Sequence, residues 1–135
     1  MARPRILDSN VLINHWRRFD KRKQRTTSEL AAHAKELIEV QGTNLIVSPV
    51  LIEFLVGARS SDELELYLAY LGPFEVLDKG DIPRQDWEEA KRPAQWIRKS
   101  RERKLGDCLI EAIANRFNGD IVSGDPDFKW RVPSR

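Results

Sequence analysis

A single cysteine, Cys108, in 135 residues excludes an internal disulfide. It falls inside an apolar helical pattern, where a small buried thiol is ordinary, and a reducing cytosol fits such a chain. No apolar run approaches the roughly 20 residues of a membrane span. The start, Met1-Ala2-Arg3-Pro4-Arg5, also lacks the apolar h-region of a secretory signal. The expectation is a soluble, cytoplasmic protein with no membrane contact. The two histidines, His15 and His33, stand singly on expected helices without metal-ligand spacing and read as neither ligands nor bases. A large excess of one charge is missing too, since the net charge is only +2. With no internal repeat and no low-complexity tract, the length fits one domain over residues 1–135.

What is present is an alternation of short apolar runs with helical patterns. Ile6-Leu7 reads as a strand, Asp8-Ser9-Asn10 as a turn with capping residues, and Val11, Leu12, Ile13 and Trp16 as a helix face. A second helix starts near Ser28 and stops at Gly42. Leu45-Ile46-Val47 suits a buried parallel strand, and Ser48-Pro49 opens the next helix. Further helices are expected over 61–71 and from about Pro83, with a strand at Phe74-Glu75-Val76-Leu77 between them. Gly106-Asp107 starts a helix with Ile110, Ile113, Ala114 and Phe117 on one face, stopped by Asn118-Gly119. The last strand candidate is residues 120–123. This order predicts an α/β fold: an α/β/α sandwich around a central parallel sheet of four to five strands.

Four acids occupy the ends of apolar runs or the first turns of apolar helices: Asp8, Glu53, Asp107 and Asp125. In an open parallel sheet these positions converge at the carboxyl edge, where ligands bind. A carboxylate beside a hydrophobic core loses hydration, and several together repel, unless a cation compensates them. Mg²⁺ or Mn²⁺ meets that need with oxygen ligands and retained waters. Asp127 is close enough in sequence to reach the same ion. Each acid also has a plainer reading: a helix cap for Asp8, dipole partners for Glu53 and Asp107, and a turn residue for Asp125.

The four segments that carry these acids resemble PIN-domain nucleases and, among them, the VapC-like toxins of toxin–antitoxin pairs. They are Ile-Leu-Asp-Ser-Asn-Val-Leu-Ile at 6–13, Val-Ser-Pro-Val-Leu-Ile-Glu-Phe-Leu-Val-Gly-Ala at 47–58, Leu-Gly-Asp-Cys-Leu-Ile-Glu-Ala-Ile-Ala at 105–114, and Ile-Val-Ser-Gly-Asp-Pro-Asp-Phe at 121–128. The resemblance implies a five-stranded parallel sheet and a Mg²⁺- or Mn²⁺-dependent endoribonuclease leaving 5′-phosphate and 3′-hydroxyl ends. It makes Asp8, Glu53, Asp107 and Asp125 the acidic quartet, with Ser123 as a supporting hydroxyl and Asp127 as an accessory acid. Asn10 joins the accessory set. It further implies a homodimer silenced by a small VapB-like antitoxin. Only residues 129–135 remain for a last strand, and Glu111 stands where relatives commonly carry alanine. Glu111 reads as a solvent-facing helix residue.

An acidic cleft repels RNA unless cations guide the backbone. The expected contacts are Arg98, Arg101, Arg103 and Lys104, nearest in sequence to Asp107. The cluster at Arg17, Arg18, Lys21, Arg22, Lys23 and Arg25 could guide the backbone too, and its plainer reading is a solvated face. Trp16 and Trp96 fit helix cores, whereas Trp87 and Trp130 fit exposed positions, Trp130 as a base-stacking platform or a packed chain end. Leu51, Leu55, Leu64, Leu68 and Leu71 supply either core or a partner groove. Two rival readings follow. One is a non-catalytic PIN-like module that binds RNA or protein; the other is an aspartyl-nucleophile phosphatase, which wants an acid where Asn10 stands.

Overall fold

The computed structural model describes residues 3–94 and 105–123. The chain runs β1 (Arg5–Leu7), α1 (Ser9–Trp16), α2 (Thr27–Gln41), β2 (Leu45–Ile46), α3 (Ser48–Leu55), α4 (Ser61–Leu71), β3 (Glu75–Val76), α5 (Arg84–Ala94), α6 (Leu105–Arg116) and β4 (Asp120–Val122). The expected α/β architecture is present, with four parallel strands in the order β3-β2-β1-β4. A fifth strand beyond residue 128 falls outside the described residues.

Local chemistry explains where the helices start and stop. Thr26 caps α2 by accepting from the Glu29 amide at 3.2 Å, and Ser60 caps α4 by accepting from the Glu63 amide at 3.1 Å. Gly42 ends α2 at φ +70°, a left-handed position that glycine adopts without steric cost. The start of α3 is capped from a distance: buried Asp78, just beyond β3, accepts from the Ser48 amide at 2.8 Å and from the Ser48 hydroxyl. Nothing in the local sequence announces that contact.

The strands are short but deeply placed. Ile6, Leu7, Ile46 and Val47 are fully buried, as expected of a parallel sheet covered by helices. The main core gathers Leu12 and Trp16 of α1, Leu30 and Ala34 of α2, Val50 and Phe54 of α3, Tyr70 of α4, and Ile110 and Ile113 of α6. A smaller cluster joins α5 to α6 through Ala90, Cys108, Leu109 and Ala112, so the thiol is buried as anticipated. The same pair of helices is tied by Asp86, 1 % exposed, which accepts from Arg116 Nε at 2.9 and 3.0 Å.

Gly119 allows β4 to lie against β1. A Cβ there would stand 2.8 Å from Ile6 Cδ1 and 3.1 Å from the Pro4 carbonyl oxygen. Pairing then runs Arg5 with Asp120, Ile6 with Ile121 and Leu7 with Val122. The chain leaves β1 toward β2 on one side and returns through β4 on the other. The carboxyl ends of β1 and β4 therefore flank the topological switch point, where open α/β sheets bind ligands.

Candidate active site

Asp8 follows the last residue of β1 at that switch point and is 1 % exposed. Its amide donates to the Val122 carbonyl at 2.9 Å, which extends the β1–β4 pairing to the site. The side chain makes no capping hydrogen bond to α1, contrary to the plain reading of Asp8 as a helix cap. It accepts instead from the Ser123 hydroxyl at 3.0 Å, from the end of β4. Two residues 115 apart in sequence thus meet because their strands are neighbours.

Glu53 lies one turn into α3, and α3 packs against α6. The contact is close at Gly106, the second residue of α6. A Cβ built there would be 2.8 Å from Glu53 Oε1, 2.9 Å from Cδ and 3.3 Å from Oε2. Only a residue without a side chain leaves the Glu53 carboxylate this place, beside Asp107 in the first turn of α6. Glu111, one turn further along α6, is 3 % exposed. This corrects the expectation of a solvent-facing residue: the face of α6 that carries Asp107 turns inward, and Glu111 goes with it.

Asp8, Ser123, Glu53 and Asp107 therefore share the carboxyl edge of the sheet, while Asn10 is half-buried in the first turn of α1. Asp125 and Asp127 lie outside the described residues, as do Arg98, Arg101, Arg103 and Lys104. The donors at this edge are carboxylate and hydroxyl oxygens, a set that fits a hard divalent cation such as Mg²⁺ or Mn²⁺. The space that Gly106 leaves for the Glu53 carboxylate is part of that fit.

A cavity of about 440 Å³ opens beside Glu53. Arg17, Arg25 and Arg59 line it together with Trp16 and Tyr67, and the Arg25 guanidinium sits 5.1 Å from the Trp16 ring centroid. The solvated-face reading of the first basic cluster agrees with the exposure of Arg17 and Arg25, which also line this cavity. It holds for Arg22, which pairs with Asp20 at 3.1 Å on the surface. The leucines divide as well: Leu71 is core, Leu51 and Leu55 pack against it, and Leu64 and Leu68 are exposed with Ile52 and Val56. Trp16 is buried and Trp87 exposed, as expected, while Trp96 and Trp130 lie outside the described residues.

The histidines are not solitary. The His15 and His33 rings stack at 3.8 Å between centroids, beside Tyr70. Among the described residues, the group of three His, Cys, Asp or Glu side chains whose ligand atoms all lie within 4.8 Å of one another is His15, His33 and Glu36. Asp8, Glu53 and Asp107 share an edge without forming so tight a group. Two of its three members are visible in the sequence as a His-x-x-Glu pair on one helix, but nothing there places His15 against them.

No curated protein and no solved structure matches the chain. A family model, the PIN domain, matches residues 5–130, and the chain belongs to that family. PIN domains are generally metal-dependent nucleases.

Proposed function

We propose that this PIN-domain chain is an endoribonuclease that hydrolyses RNA phosphodiester bonds with Mg²⁺ or Mn²⁺, and that it is the toxin of a VapBC-type toxin–antitoxin pair. The carrying observation is the buried Asp8 carboxylate, held by Ser123 at the β1–β4 switch point instead of capping its own helix. In this reading Asp8, Glu53, Asp107 and Asp125 hold the cation, and Asp127 and Asn10 assist. When bound, such an ion polarises the phosphate and lowers the pKa of an attacking water.

The protein's own residues have separable tasks. Ser123 fixes the rotamer of Asp8, and Gly106 fixes the placement of Glu53. Arg17, Arg25 and Arg59 offset the repulsion between the acidic edge and the RNA backbone, and Tyr67 offers aromatic surface in the same cavity. Arg98, Arg101, Arg103 and Lys104 remain proposed RNA contacts. The apolar strip of Ile52, Val56, Leu64 and Leu68 supports a protein partner, either a second copy in a homodimer or a VapB-like antitoxin. Among the described residues no helix is long and apolar enough to cross a membrane, and a cytoplasmic setting is part of the proposal.

The test is incubation of antitoxin-free protein with total cellular RNA in Mg²⁺, Mn²⁺ or EDTA, beside Asp8→Asn and Asp107→Asn. Discrete fragments that need the metal and both acids are expected. Equal, undiminished RNA in every lane, with binding retained, would replace the nuclease by a non-catalytic RNA-binding module.

A further inference from the structure

The cluster on the α1 and α2 side of the core has no part in the proposed cleavage, yet its hydrogen bonds are organised. His33 Nε2 donates to the His15 backbone carbonyl at 2.8 Å, which leaves Nδ1 as the ring nitrogen on the Glu36 side. That nitrogen faces Glu36 Oε2 at 3.7 Å, one turn away on α2. His15 Nδ1 lies 2.7 Å from the Tyr70 hydroxyl, which donates on to the Leu12 carbonyl at 3.5 Å. Each ring thus has one nitrogen hydrogen-bonded in the present stack, His33 to a backbone carbonyl and His15 with Tyr70.

We propose that His15, His33 and Glu36 form a metal site of their own, separate from the acidic edge, for a borderline divalent ion of the Zn²⁺ class. Three observations support it. The ligand atoms already lie within 4.8 Å of one another. His33 Nδ1 faces the Glu36 carboxylate at 3.7 Å, so a cation placed between them would be held by both. Two nitrogens and one oxygen suit Zn²⁺, Co²⁺ or Ni²⁺, whereas Mg²⁺ prefers oxygen alone.

The stacked planes, inclined by 16°, do not converge on a single point. Binding therefore turns the rings about Cβ–Cγ, a soft torsion for histidine, and opens the stack. His33 is 9 % exposed and Glu36 lies at the surface, so an ion reaches the site from solvent through the carboxylate. A small cavity of about 110 Å³ adjoins it, lined by Arg18, Lys23, Asp20 and Glu29 besides His33 and Glu36. Lys23 is engaged by Glu29 at 3.7 Å, and Arg18 is the charge that opposes a cation there. The bound ion would brace α1 against α2 across the basic segment 17–25.

This inference stands whether or not the chain cuts RNA, and the test needs no cleavage. Chelator-stripped full-length protein is titrated with Zn²⁺ by calorimetry and with Co²⁺ by visible absorption, as wild type, Asp8→Asn, Glu36→Gln and His15→Gln. One equivalent should persist in Asp8→Asn and resist excess Mg²⁺. It should weaken at least about tenfold in Glu36→Gln, since loss of a mere outer-shell partner already costs that much. Saturating Zn²⁺ should raise the wild-type unfolding midpoint by about 5 °C or more, through binding to the folded state alone. Glu36 is exposed, so its substitution leaves the core intact. Absence of Zn²⁺ binding by wild type, or equal binding by Glu36→Gln and His15→Gln, overturns the proposal and leaves a histidine stack with a surface ion pair.

Discussion

Replacing Gly106 by alanine separates the stability of this protein from its proposed chemistry. The new methyl carbon would stand 2.8 Å from Glu53 Oε1 and 2.9 Å from its Cδ. Comfortable contact begins near about 3.4 Å, so the carboxylate must retreat by about 0.6 Å. The group that moves is the end of a flexible side chain, and alanine in a helix stabilises over glycine by about 0.4–1 kcal/mol. The unfolding midpoint should therefore stay level or rise. Catalysis is far less tolerant: a displacement of about 1 Å at a reacting centre costs roughly a hundredfold, so about 0.6 Å should cost ten- to thirtyfold. The assay pairs thermal unfolding with the initial rate of Mn²⁺-dependent cleavage of a defined RNA, and adds the Mn²⁺ concentration giving half-maximal rate, which should rise. A folded Gly106→Ala protein cutting at the wild-type rate would remove Glu53 from the site. A fall in the midpoint with the rate would show Gly106 to be a packing residue only.

Arg116→Ala should destabilise the fold by about 2–4 kcal/mol, because it leaves the buried Asp86 carboxylate without its guanidinium; urea unfolding measures it, and a change under about 1 kcal/mol refutes the importance of that pair. Acid should act through His15, whose imidazole is held down to about 4, first by burial and then by facing His33, with Arg18 adding and Glu36 opposing. The unfolded chain takes up that proton from about pH 6.5 downward and the folded chain only near 4, so this stability is fully present above 6.5 and is lost as pH falls toward 4. A fully enclosed ring would contribute roughly 3 kcal/mol, and solvent at the open side of His15 reduces this to about 1–2 kcal/mol. Urea titrations between pH 7 and 4.5 should show the loss, and His15→Gln should flatten it. Finally, Arg17→Gln, Arg25→Gln and Arg59→Gln should each weaken RNA binding and lower the slope of log affinity against log salt by about 0.7, the value for one single-strand phosphate contact. An unchanged slope in all three would assign the cavity to another ligand.

The order of elements was legible because it rests on local physics. Apolar pairs such as Ile6-Leu7 and Leu45-Ile46, the stop at Gly42, the proline at the start of α3 and the helical spacing after Asp107 all act within a few residues of themselves. The positions of Asp8, Glu53 and Asp107 at one edge followed from the parallel α/β order and its crossover rule. The chemistry proposed for them rests on the same kind of reasoning, since carboxylates at strand ends and first helix turns are costly in any such fold unless compensated.

What the sequence could not determine is which side chains finally touch. Asp8 has the spacing of a helix cap, and only the pairing of β1 with β4 brings Ser123 to it and turns the carboxylate from its helix to the site. Gly106 reads as a helix starter until α3 lies against it and the missing Cβ becomes the place of Glu53. Glu111 has the composition of a solvated position and the burial of a core one, a matter of how α6 is rolled. His15, 18 residues from His33, meets it because α1 and α2 pack side by side near Tyr70. Local propensity and periodicity are properties of the chain itself, and they decided the elements and the edge that holds the acids. Contacts between distant segments depend on strand order, helix roll and close approach, which exist only once the whole chain has packed.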